Sequence, residues 1–151
     1  MKHQFTYLNK GRALMLKLID GLTIEQLNNI PKGFKNNIAW NIGHLVVTQQ
    51  LLCYKLSGLP CAISEEMINA YRKGAAPEKV ITAEEFDEIK ALFVSLPVQF
   101  EKDYEAGIFK DYNEYTTSVD VTLSDIVSAT GFNTFHEGIH LGVILALRKL
   151  V

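Results

Sequence analysis

Apolar residues return at helical spacing through most of this chain, and the stripes they draw are broken by polar residues at a few repeated places. Phe5, Leu8, Met15, Ile19 and Leu22 recur at three-, four- and seven-residue intervals with Arg12 on the same line, which predicts a first amphipathic helix over residues 4 to 21. Gly21 suits its end. Thr23-Ile-Glu-Gln26 reads as a capping box opening a short helical turn, which Pro31-Lys-Gly33 breaks. From an N-cap at Asn36 or Asn37 to Leu56, the next segment is apolar nearly all round, the pattern of a helix that is central or sits at a subunit interface. One narrow track on it is polar, with Asn37, Asn41, His44 and Thr48 at four- and three-residue steps. Ser57-Gly58-Leu59-Pro60 stops it.

Residues 59 to 82 form a connection too long for a tight antiparallel turn, with a short helix expected from Glu65 to Arg72. Such a length permits a crossover between parallel neighbours. Thr82-Ala-Glu-Glu85 is a second capping box, and Phe86, Ile89, Phe93, Leu96, Phe100 and Tyr104 draw the stripe of a third long helix ending near Gly107, which Pro97 is expected to kink. Residues 108 to 122 read as a loop in preference to a short extended piece. A last helix starts near Thr122-Leu-Ser-Asp125, and Leu123, Ile126, Thr130, Asn133, His136, His140, Ile144 and Leu147 carry it to the C-terminus. Gly131 and the capping-box pattern Thr134-Phe-His-Glu137 leave open a break with a restart near residue 134; either way His136 and His140 share a helix. Four long helical segments without a convincing strand pattern predict an all-α four-helix bundle, a single domain over residues 1 to 151 with a long connection between the second and third helices.

Composition narrows the partners. A chain of 151 residues with 48% hydrophobic and 21% charged residues is expected to be a soluble globular domain with a continuous core. The formal net charge of −2 supplies no basic stripe for phosphates, so nucleic acid is not an expected partner. The N-terminus lacks an apolar leader segment, and no run approaches the roughly 20 apolar residues of a membrane span, so no membrane is expected and the cytoplasm is the default location. Cys53 and Cys61 fit no paired-cysteine metal motif and are read as reduced thiols.

The candidate chemistry lies on the polar tracks. His136 and His140 are four residues apart, so their imidazoles leave one helix face a turn apart, and His44 lies on the polar track of another helix. Three nitrogen ligands from two helices are the number a catalytic metal site uses when it leaves a position open. Each polar track would be costly to bury alone, and facing one another across an ion they explain each other. Asn41, Thr48 and Asn133 are candidates to orient the imidazoles. Glu137, about 100° round the helix from His136, could act as general acid or base beside the ion, orient a ligand, or cap the helix. Arg12 could clamp an anionic substrate or simply cover apolar surface with its head in water. Trp40 reads as core, and His3, near a frayed terminus, as inert.

Two familiar patterns fail on inspection. His136-Glu137-Gly-Ile-His140 matches the H-E-x-x-H of zinc peptidases, but too few residues follow His140 for a downstream glutamate ligand, and Val143 and Ala146 stand where an extended motif needs glycine and histidine. A carboxylate-bridged two-metal bundle needs two E-x-x-H units, and the place before His44 that would complete the second holds Asn41.

Trp40-Asn-Ile-Gly-His44-Leu and Phe135-His136-Glu-Gly-Ile-His140-Leu-Gly142, on the second and last helices of a chain this long, resemble the DinB/YfiT-like family of small bacterial metalloproteins, in helix order over essentially the whole chain. That family is distinct from the DNA polymerase of the same name. The resemblance implies an up-down-down-up bundle, a frequent homodimer, and a divalent metal, often zinc or nickel, on the residues that match here as His44, His136 and His140; iron and manganese are alternatives. Related branches include transferases and isomerases that use low-molecular-weight thiols such as bacillithiol, mycothiol or glutathione. The family often has glutamine after the glycine that follows the last ligand, and this chain has Val143, which leaves the branch and the substrate open.

The expected function is a metal-dependent enzyme acting on a small molecule, with a thiol S-transferase or isomerase in view and hydrolysis as another outcome. The alternative is a non-catalytic bundle, metal-binding or metal-free, serving in stress response or binding. Cys53 lies nine residues past His44, roughly 13 Å along a helix, too far to join the same ion.

Overall fold

A computed structural model describes residues 1–151. It is an all-α bundle built on four long helices: α1 (Lys2–Ile19), α3 (Ile38–Gln49), α5 (Ala83–Glu105) and α6 (Ile126–Leu147). Two short helices, α2 (Ile24–Asn28) and α4 (Glu65–Tyr71), lie in the connections. The starts follow capping chemistry. Thr23 with Gln26, Thr82 with Glu85 and Asp125 with Ser128 form reciprocal boxes, and the Asn37 side chain accepts from the Trp40 amide. Gly21 and Gly58, at φ +81° and +72°, take the left-handed conformation just past α1 and the end of the second helical segment.

The segment expected as one helix to Leu56 changes pitch instead. After α3 it widens into a π-turn over Gln50–Tyr54 and tightens into a 3-10 turn over Lys55–Ser57. The expected loop from 108 to 122 holds a minimal antiparallel ladder, β1 (Tyr115–Thr116) with β2 (Thr122–Leu123), closed by a hydroxyl pair between Thr116 and Thr122 at 2.9 Å. Two residues per strand are too few to leave an alternating pattern. α5 is helical through Pro97, and α6 runs unbroken past Gly131 and Thr134. The Thr134 hydroxyl bonds back to the Thr130 carbonyl at 3.0 Å, so Thr134-Phe-His-Glu137 does not act as a cap.

α1 packs on α5 and α6, and α3 packs on the same two, which places α1 and α3 at opposite corners. The larger apolar cluster joins Met15, Ile42, Leu45, Phe93, Ile144 and their neighbours; the smaller joins Phe5, Leu8, Leu52, Phe100 and Ala129 with others. Between the two clusters the chain places buried polar groups. Arg12 on α1, Gln49 on α3, and Asn133 and Glu137 on α6 form a polar layer across the middle of the bundle. No helix is long and apolar enough to cross a membrane.

Candidate metal centre

Three imidazoles from α3 and α6 meet at one point. His136 Nε2 lies 3.4 Å from His44 Nε2 and 3.1 Å from His140 Nε2, and one nitrogen from each ring falls within 4.8 Å of the others. An ion about 2.0–2.1 Å from tetrahedral nitrogen ligands holds them roughly 3.3–3.4 Å apart, close to the two spacings from His136 Nε2. His3 is not part of the cluster; its ring stacks with Tyr7.

Neighbouring groups decide which ring nitrogen carries the proton. Asn41 donates through Nδ2 to the Asn36 side chain at 3.2 Å and to the Asn37 carbonyl at 2.7 Å, so its oxygen is what faces His140 Nδ1 at 2.6 Å. That contact requires a proton on Nδ1 and leaves the Nε2 lone pair of His140 aimed at the cluster. In the same way His44 Nδ1 donates to the Tyr71 carbonyl at 2.6 Å, freeing its Nε2, against which the Thr48 hydroxyl lies at 3.3 Å. The His44 ring is stacked on the Trp40 indole, with centroids 4.8 Å apart and 11° between planes. Trp40 in turn donates from Nε1 to the Ala70 carbonyl at 3.0 Å. His136 Nδ1 has no protein partner.

Two inward-facing lone pairs with a third imidazole between them suit a cation. Burial holds His44 below the usual imidazole value, although the bond to Tyr71 opposes the shift. Burial and the neighbouring histidines lower His136 to about 4 and His140 to about 3. At neutral pH all three rings are therefore neutral, the form that binds a metal. The cluster holds no carboxylate or thiolate beside its histidines. Burial pushes both cysteine thiols up and away from the reactive thiolate form, Cys53 more strongly than Cys61.

Several expected residues lie elsewhere. Glu137 does not face the imidazoles. It is 4% exposed, accepts from Arg12 Nε and Nη2 at 3.1 and 2.7 Å, and accepts from Asn133 Nδ2 at 3.2 Å. A carboxylate held this way is not placed for acid–base work beside an ion. Arg12 is 1% exposed, so its guanidinium neither reaches water nor is open to an anionic substrate. Asn133 supports Glu137 rather than a ring. Asn41 and Thr48 do touch histidines, as the polar track on the second helix suggested.

Sequence reasoning passed over Tyr71, whose contribution is a backbone carbonyl that any residue could offer. A signal existed nonetheless. Gly43, in the middle of α3, costs helix stability, and a Cβ there would lie 2.5 Å from the Tyr71 ring. The glycine is the imprint of α4 docking beside His44. Behind Trp40 and Tyr71 opens a cleft of about 760 Å³, bordered also by Asn37, Arg72 and Lys79; none of the three histidines lines it.

No curated protein matches the chain. The sequence profile of the DinB superfamily matches residues 7–144, which takes in all four long helices for most of their length and every residue of the histidine cluster. With the helical bundle and the paired histidine motifs already in view, the chain belongs to the DinB superfamily.

Proposed function

We propose that the protein is a metal-dependent enzyme acting on a small molecule, with a divalent ion on His44, His136 and His140. One observation carries this reading: Asn41 and the Tyr71 carbonyl each fix a ring so that its Nε2 lone pair turns toward a common point. Zinc or nickel suits an all-imidazole set, with iron and manganese as alternatives. Because three neutral imidazoles leave the ion's two positive charges uncancelled, the site when loaded would favour loss of a proton from a bound thiol or water near neutral pH.

The reaction class we propose is S-transfer or isomerisation with a low-molecular-weight thiol. The chain's own thiols are both pushed toward the protonated form, so the sulfur would come from a second substrate. A structural role for the ion is less well supported. Structural sites are usually closed by a fourth protein ligand, whereas here the nearby carboxylate of Glu137 is committed to Arg12 and the extra group at His44 Nε2 is the neutral Thr48 hydroxyl.

Elemental analysis of untagged protein before and after chelation, joined to a thermal melt, tests the reading. About one equivalent of divalent metal per chain, removable with loss of stability and absent from a folded His44→Ala variant, is the expected result. Wild-type metal content in that variant would overturn the ligand assignment. Less than roughly a tenth of an equivalent, with no stabilisation by added zinc, nickel, manganese or iron(II), would overturn the metal reading.

A further inference from the structure

We infer that Arg12 is the positioning residue of the histidine cluster, its guanidinium setting the spacing and rotation of α3 against α6; this rests on the metal reading above. The guanidinium touches every other long helix. Nη2 donates to Glu137 Oε1 on α6 at 2.7 Å, to the Leu45 carbonyl on α3 at 3.3 Å and to Gln49 Oε1 at 3.1 Å, while Nη1 donates to the Phe93 carbonyl on α5 at 2.8 Å. Two of these partners adjoin ligands in sequence. Leu45 follows His44 and Glu137 follows His136, so one planar group spans the two places where the ligand-bearing backbones must be held apart at a set distance.

Pro97 bears on the same point. A helical carbonyl normally accepts from the amide four residues on, and the residue four after Phe93 is Pro97, which has no N–H. The Phe93 carbonyl is thereby released from the α5 ladder, and Arg12 takes it. An interior proline is costly in a helix, and here it supplies an acceptor at the level of the polar layer. Gln49 and Asn133 extend the network, each through one atom of its amide, and the Phe93 ring centroid lies 4.5 Å from the guanidinium carbon.

Stability is a poor reason for this arrangement. Replacing a buried ion pair with apolar residues of similar volume is often neutral or stabilising, because desolvating two charges offsets their attraction. A rigid, five-donor fork does what an apolar plug cannot. It fixes the direction as well as the distance of each partner.

Cobalt(II) titration followed by ligand-field absorption tests the inference in wild type, in Arg12→Lys, and in the volume-conserving Arg12→Met with Glu137→Leu. Far-UV circular dichroism and thermal melts establish that each is folded. Arg12→Lys keeps the charge but loses the fork, and it decides the matter if the double variant does not fold. We expect each folded variant to bind cobalt about 10-fold or more weakly, with displaced absorption bands. A lowered melting temperature with wild-type affinity and spectrum would reduce Arg12 to a packing role and overturn the inference while leaving the metal site standing. A wild-type protein that binds no cobalt would remove both, and is told apart because the unmodified chain itself is silent.

Discussion

The ring of Tyr71 occupies the place where a side chain at Gly43 would begin, its Cδ1 lying 2.5 Å from the ideal Cβ position. Because the backbone carbonyl of Tyr71 also holds His44 Nδ1, this contact ties the docking of α4 to the orientation of a ligand. Gly43→Ala is expected to destabilise the fold. Overpacking of this kind costs about 1–3 kcal/mol, while the better helix propensity of alanine returns at most about 1 kcal/mol. Gly138→Ala is the matched control, since nothing lies within 4 Å of a Cβ there, and it should raise stability by up to about 1 kcal/mol. Chemical denaturation of the pair checks both signs. A loss at Gly138 would mean that another surface packs on that face.

Asn41 fixes His140 through an amide whose donors are already engaged. Asn41→Ala removes the acceptor for Nδ1 and should weaken metal binding by about 10- to 100-fold with the helices intact. Competition with a chelator of known affinity reads this directly. An unchanged dissociation constant would show that the ring is held by other contacts.

Glu137→Gln or Arg12→Ala breaks a pair in which both side chains are almost wholly buried. Removing one partner leaves the other charge uncompensated, so each single variant should lose about 3–5 kcal/mol in urea denaturation. A loss below about 1 kcal/mol, the range of exposed pairs, would contradict the burial described here.

The metal-stripped protein should lose stability as pH falls from about 6.5. His136 and His140 have folded values of about 4 and 3, below the ordinary value of 6.5, so the unfolded chain binds more protons between those limits. The sign follows: stability is fully present above about 6.5 and declines as pH drops toward about 4 and then 3. Replacing both rings with glutamine should flatten this part of the profile. A wild-type slope in that variant would place the titrating groups elsewhere.

The bundle itself was legible because helix stripes and caps are local. Phe5 to Ile19, Phe86 to Phe100, and the Thr23 and Thr82 boxes depend on residues three and four apart, and their partners in the structure are those the spacing names. The pitch change at Gln50–Tyr54 was not legible, since a π-turn keeps helical composition and differs only in which carbonyl each amide finds. The ladder at Tyr115 and Thr122 was too short to leave a period.

At the site, the sequence alone determined that His136 and His140 share a face and that His44 stands on a polar track with Asn41 and Thr48, because positions on one helix follow from its period. Only tertiary structure decided where Glu137 points. On the helix it stands one residue from a ligand, yet its carboxylate pairs with Arg12, 125 positions earlier in the chain. The same holds for Pro97, whose missing N–H leaves the Phe93 carbonyl to Arg12, and for Arg12, which read as a surface or substrate cation and is buried. The reason is physical. Helical periodicity fixes neighbours within a turn, whereas the partner of a buried charge is chosen by desolvation, which acts only once distant segments have closed around it.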